Sequence, residues 1–186
     1  GCAETKEPVE EASSDAAAQE DVAEQATQKL DLDVEPVTGL DNLGEDSDLA
    51  KIISKGTLVV GITDYAPMDY KDDNGNWIGF DADMAKAFAK YLGVEPEFVE
   101  INWDNKAMEL ETKAIDVVWN GMTLSEEAKT NASCTDPYVL NAQVVVMKAD
   151  KVANYKDADS LKDLNFAVEA GSAGKDIAVE KGYKYK

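Results

Sequence analysis

Histidine and arginine are the side chains that most often move protons and grip carboxylates, and this sequence of 186 residues has neither; all 18 basic residues are lysine. Cys134 therefore has no imidazole to activate it and is not read as a thiol nucleophile. Asp81 has the look of a catalytic acid. Its place after Gly79-Phe80, at the head of a periodic apolar stretch, instead fits a helix-start residue satisfying free backbone N–H groups. The run Asp72-Asp73-Asn74-Gly75-Asn76 has the composition of a calcium loop but lacks the bidentate glutamate at the twelfth position, so a tight turn at Asn74-Gly75 is the better reading. No converging acid–base pair can be placed, and no catalytic residue, metal site or cofactor is expected. What remains is binding chemistry: Asp64, Tyr65, Trp103, Asn120, Gly121, Met122 and Thr123, each where a strand gives way to a loop.

The elements that must position these residues follow from hydrophobic periodicity. Residues 58–62 read as a buried strand, and residues 98–99 and 115–119 as two more short apolar runs suited to parallel strands. Between the first and second lie an aromatic loop, the Asn74-Gly75 hairpin turn and an amphipathic helix. Met84, Ala87, Phe88, Tyr91 and Leu92 recur there at helical spacing and predict the face that covers the sheet. Each strand runs into a polar loop, and open α/β sheets bind ligands at the carboxyl ends of their strands. Ser125, followed by Glu126 and Glu127, reads as the N-cap of a further helix. Trp119 ends the third strand and reads as core, with an edge toward the loops as the alternative.

Charge narrows the partners. The net charge is −20 and the sequence pI near 4.2, which excludes nucleic-acid binding and a basic membrane-surface patch, since both need a basic face. Residues 1–50 alone carry −13 and the remaining 136 carry −7. Residues 1–48 have no aromatic side chain and cannot bury enough apolar surface to offset chain entropy, so they read as an acidic, disordered tether. Gly1-Cys2 fits a trimmed signal peptide with Cys2 as the lipidated N-terminus. More than one lipid chain there would anchor the protein stably to a membrane.

Five segments carry a family resemblance: GITDYAPMDY, GFDADMAKAFAKYLGV, EFVEINWD, KAIDVVWNGMTLSEEAK and CTDPYVLNAQVVVMK. In order and spacing they resemble the extracytoplasmic solute-binding proteins of amino-acid ABC importers, over residues 51–175. The resemblance implies an α/β periplasmic-binding-protein-like fold of two lobes. The first is nearly complete at 49–148; the second is only begun, with a crossover, at 149–186, and the sequence is expected to be truncated there. It implies a small-molecule ligand, an ABC importer permease as partner, a monomer, and an extracytoplasmic, lipid-anchored location. Tyr65 and Trp103 fall where aromatic or apolar residues sandwich the ligand side chain. Asn120, Gly121, Met122 and Thr123 match a segment that supplies backbone and hydroxyl hydrogen bonds. Gly171 and Ser172 match a turn that donates amide and hydroxyl groups from the second lobe. Asp64 is either a partner for the ligand ammonium or a cap of its own loop, and Glu169 either lies at the cleft or is a solvated strand end.

The sequence departs from the family where Glu-Arg-Lys is usual: here it reads Glu127-Ala128-Lys129. The resemblance would have an arginine fork onto the ligand carboxylate at that place, and Lys129, one position away, offers only a point charge. This leaves the ligand class open. The function implied is capture of an amino acid or related polar molecule without catalysis. The alternatives are an enzyme on the same fold, of the cyclohexadienyl-dehydratase kind, and the ligand-sensing module of a membrane receptor.

Overall fold

The computed structural model describes residues 33–186; Cys2 and residues 3–32 of the expected tether lie outside them. Three parallel strands in the order β4-β1-β5 form the sheet. Strand β1 (Thr57–Ile62) is central, flanked by β4 (Glu95–Glu100) over six residue pairs and by β5 (Val117–Val118) over two. A hairpin of β2 (Tyr70–Lys71) and β3 (Trp77–Ile78) lies between β1 and the main helix. Its turn is closed by Asp72, whose carboxylate accepts from the Asn74 and Asn76 amides and the Asn76 side chain. The carboxylate of the supposed calcium loop is thus occupied by the turn's own N–H groups.

Helix α1 (Asp48–Lys55) precedes β1, with Ser47 accepting from the Ala50 amide as its cap. Helix α2 (Phe80–Leu92) crosses from β3 to β4. Its buried face differs from the periodic reading. Ala82, Ala85, Ala89 and Leu92 are buried, whereas Phe88 and Tyr91 are exposed at 37% and 42%. The alanines let the helix settle closely on Leu58, Val60 and Ile62, all fully buried. The wider rings are displaced to its flank, where Phe88 packs on Tyr91 and on Trp119. Periodicity reports which side is apolar, but side-chain volume decided which apolar residues face the sheet.

Asp81 is also not a helix cap. Gly79 holds the N-cap position, and Asp81 is fully buried beside fully buried Asp69. The Tyr138 hydroxyl donates to Asp81 Oδ1 at 2.6 Å. Burial above all, then the charge of Asp81, pushes the Asp69 carboxyl up to about 8, against a smaller opposing pull from the Ala82 amide. Burial likewise raises Asp81, opposed by donors on Tyr138 and Trp119, and burial with the Asp81 bond raises the Tyr138 hydroxyl. Tyr138 also packs against Phe80 and Trp119. It fastens an extended segment, otherwise solvent-facing at Leu140, Val144 and Val146, to the body of the sheet.

Of the remaining helices, α3 (Lys106–Glu111) follows β4, α4 (Glu126–Asn131) follows β5, and α5 (Ala149–Val152) follows the extended stretch. Residues 165–185 form a smaller unit, with β6 (Asn165–Phe166) parallel to β7 (Lys184–Tyr185) and α6 (Ala173–Glu180) between them. Phe166 stacks on Tyr183, and Ala178 is the one buried apolar residue of this unit. That thin packing is what so few elements can provide. At the other end, residues 33–47 run along the domain instead of hanging free. The Val37 amide donates to the Tyr91 carbonyl at 2.7 Å, and Val37 packs on the main core.

Candidate functional site

Because β4, β1 and β5 are parallel neighbours, the loops that follow them emerge side by side at one edge of the sheet. The β1 loop carries Asp64 and Tyr65, the β4 loop Trp103, and the β5 loop residues 120–123. Each is held in place by identifiable bonds. Asn120 is buried and ties two loops together: its Oδ1 accepts from the Thr63 amide at 3.1 Å, and its Nδ2 donates to Thr63 Oγ1 at 2.7 Å. Asn120→Ala should leave the Thr63 amide without its partner and cost about 1–3 kcal/mol in urea unfolding. Asn120→Asp, which keeps the acceptor, should cost less.

The Tyr65 loop is pinned by backbone bonds between Tyr65 and Asp69 in both directions, at 2.6 and 2.9 Å. Its ring lies directly against Gly121: a methyl group there would stand 2.5 Å from Tyr65 Cε1. Glycine is what allows ring and backbone to approach so closely. The Met122 amide donates to the Asn120 carbonyl. Thr123 Oγ1 accepts from the Asn141 side chain at 3.2 Å. Ser125 caps α4 as the sequence predicts, accepting from the Ala128 amide at 3.1 Å, and Ala128 is buried.

Trp103 is buried at the start of a short 3-10 turn, Trp103–Asn105, which Asn102 caps through the Asp104 amide. Against this turn sits Gly171, in the left-handed region at φ 69°. A methyl group on Gly171 would lie 2.8 Å from Asp104 Cα, so the turn after β6 and the loop after β4 meet through glycine. Ser172 caps α6, accepting from the Lys175 amide at 3.1 Å. Gln143 lies near Gly174 on the same side.

One contributor was not recognised in the sequence. Lys106 lays its ammonium over the Trp103 ring, 4.8 Å from the centroid, and donates to the Trp103 carbonyl at 3.2 Å and the Gly171 carbonyl at 2.9 Å. The signal available was its spacing, three residues beyond Trp103 at a helix start. Lys129, by contrast, is held by Glu126 on its own helix at 2.7 Å.

The predicted residues thus fall into groups. Tyr65 joins Gly121, with Asn120, Met122 and Thr123 in the same loop, while Trp103 joins Gly171 with Ser172 adjacent. Asp64 turns instead to a shallow depression of about 400 Å³ on the hairpin side, lined also by Tyr70, Lys71, Trp77 and Glu100. There Lys71 pairs with Glu100 at 2.6 Å. Glu169 is exposed, and its carbonyl accepts from the Ser172 amide at 3.3 Å. The loops at this edge present amides, hydroxyls, rings and one lysine, groups of the kind that line sites for small polar molecules.

The chain is similar to known proteins in sequence and in fold. The L-cystine-binding protein TcyJ of Escherichia coli K12 is 34% identical over 125 residues, which is 67% of this chain and 47% of that protein. The arginine-binding extracellular protein ArtP of Bacillus subtilis is 34% identical over 151 residues, 78% of this chain and 56% of that protein. The chain spans about half the length of the curated relatives it matches. Among solved structures, the ancestral amino acid-binding protein AncCDT-1, a precursor of cyclohexadienyl dehydratase, superposes with a TM-score of 0.72 and 39% identity, over 75% of this chain and 64% of that one. The two-lobe α/β fold expected from the sequence is therefore the fold of its relatives. Since residues 58–179 also match the family description directly, the chain belongs to the bacterial extracellular solute-binding proteins, family 3.

Proposed function

We propose that this protein captures an amino acid or a related small polar molecule outside the cytoplasm and hands it to the membrane permease of an ABC importer. The observation that carries the reading is that three strand-end loops emerge at one edge of the sheet, where Tyr65 meets Gly121 and the Trp103 loop meets the Gly171 turn. Relatives named for binding cystine and arginine support it. In this reading residues 49–148 form the first lobe, residues 149–186 cross over and begin the second, and residues 148–154 serve as hinge. Tyr65 and Trp103 flank the ligand side chain. Backbone groups of Asn120, Gly121 and Met122, the Thr123 hydroxyl, and Gly171 with Ser172 supply hydrogen bonds, while Asp64, on the hairpin side, either reaches the ligand ammonium or caps its own loop. Cys2 carries the lipid that holds a monomer at the membrane, with residues 1–32 as part of the tether.

The same reading assigns no catalysis. The sequence has no histidine, and the paired acids Asp69 and Asp81 are fully buried and so closed to a ligand, even though AncCDT-1 is a precursor of an enzyme. A thermal-shift screen against the natural amino acids and cystine tests the proposal. A ligand of the folded state should raise stability by up to about 2.7 kcal/mol at a hundredfold excess over Kd. A folded protein that none of them stabilises, or one that turns over prephenate or arogenate, would refute it.

A further inference from the structure

We propose that Lys106 is the group that receives the ligand's carboxylate, so that the site selects molecules carrying a carboxylate over the corresponding amines. The inference rests on the receptor reading above and names the residue and ligand chemistry that reading leaves open. An α-amino acid presents one carboxylate, and taking it out of water requires a cation or several donors. With no arginine or histidine among these 186 residues, the cation they can offer is a lysine.

Lys106 is the described lysine whose ammonium touches both the Trp103 loop and the Gly171 turn. The two groups that accept from it are neutral carbonyls, and among the described residues no carboxylate lies within ion-pair distance of it; Asp104, two residues earlier, forms no pair with it. An ammonium has three donors, so one N–H and the full charge remain available between the two loops. The side chain is half-buried, which lessens screening of a carboxylate brought against it. Lys129 is spoken for by Glu126, and Lys55, Lys71, Lys86 and Lys113 by Asp116, Glu100, Asp83 and Asp48. The Trp103 ring under Lys106 is already covered by a cation, which disfavours a second cation on that face and favours an anionic group beside it.

Binding of three matched pairs by calorimetry tests this: L-cystine with cystamine, L-arginine with agmatine, and L-histidine with histamine. The unmodified chain should bind at least one amino acid roughly a hundredfold more tightly than its amine. Lys106→Gln should weaken that amino acid about ten- to a hundredfold and leave the amine unchanged, while Lys106→Arg should restore discrimination. A merely structural lysine would weaken both members of a pair alike. As a check that needs no variant, a saturating concentration of the bound amino acid should slow acetylation of Lys106 by acetic anhydride, read by mass spectrometry. Equal affinity of Lys106→Gln and the unmodified chain for the amino acid, or unprotected Lys106, would overturn the role of Lys106 and leave the receptor reading standing. A chain that binds none of the natural amino acids would overturn both.

Discussion

Replacing Gly79 by alanine is expected to cost about 3 kcal/mol or more, lowering the melting temperature by roughly 6–12 °C for a chain of this size. Gly79 has φ 115° and ψ 173°, a region that only glycine occupies readily. It also sits at the start of α2, where the chain passes under the Tyr65 loop. An added methyl group would collide with the Met68 carbonyl oxygen and stand 2.7 Å from its carbon and 2.8 Å from the Pro67 oxygen. All three are backbone atoms, and that backbone is fixed by the Asp81 amide bond to Met68. Relief would mean pulling the loop off the helix. Gly56→Ala is the control: its φ of 73° is also positive, but nothing lies within 4 Å of the new methyl group, so only the backbone cost of about 1–2 kcal/mol applies. Urea unfolding of the two variants should separate them by at least about 1 kcal/mol. Equal losses would mean that the loop yields freely.

Asp69→Asn should stabilise the protein above neutral pH, a rare direction for a core substitution. Asp69 is fully buried beside Asp81, and its carboxyl is pushed from an ordinary 3.8 up to about 8. Between about pH 4 and about pH 8 the folded chain therefore keeps a proton that the unfolded chain has released. Stability is fully present below that window and is lost as the pH rises through it. At about 1.4 kcal/mol per pKa unit, the total is on the order of a few kcal/mol. Asparagine cannot ionise, so no second charge can form beside buried Asp81. The difference in stability between Asp69→Asn and the unmodified chain should grow from pH 5 to pH 8. Asp48, Asp72, Glu126 and Asp159 lie at or near the surface and are held low by hydrogen-bonded partners, so they act in the opposite sense, losing their contribution as pH falls. They are common to both proteins and cancel in the difference. A difference that stays flat across the range would show that Asp69 ionises normally.

The strands and the loops after them could be read from the sequence because each is a short apolar run ending in polar residues, a local pattern that the parallel sheet satisfies without rearrangement. The Asp72 turn and the Ser125 cap were legible for the same reason: each is a bond within four residues. What sequence could not give was every feature that depends on distant partners. Asp81 looked like a cap because caps are local, yet its partner Tyr138 lies 57 positions away. The buried face of α2 was read correctly at Leu92 but misread at Phe88 and Tyr91, whose wide rings are displaced while Ala85 and Ala89 pack against β1. Lys106 escaped notice because its meaning comes from Gly171, 65 positions on. The site residues were placed at strand ends by topology and resemblance; their grouping into a Tyr65–Gly121 contact and a Trp103–Gly171 contact needed the coordinates.

The central claim is that an amino acid is held against Trp103 between the strand-end loops and the Gly171 turn. Tryptophan fluorescence tests it directly, because the chain has three tryptophans and the other two, Trp77 and Trp119, are placed in the hairpin and beside the core. Titration with L-cystine, L-arginine and the other natural amino acids should give a saturable change for at least one of them, and Trp103→Phe should abolish the signal. Saturable binding whose fluorescence change survives in Trp103→Phe, or no saturable binding at all, would contradict the account.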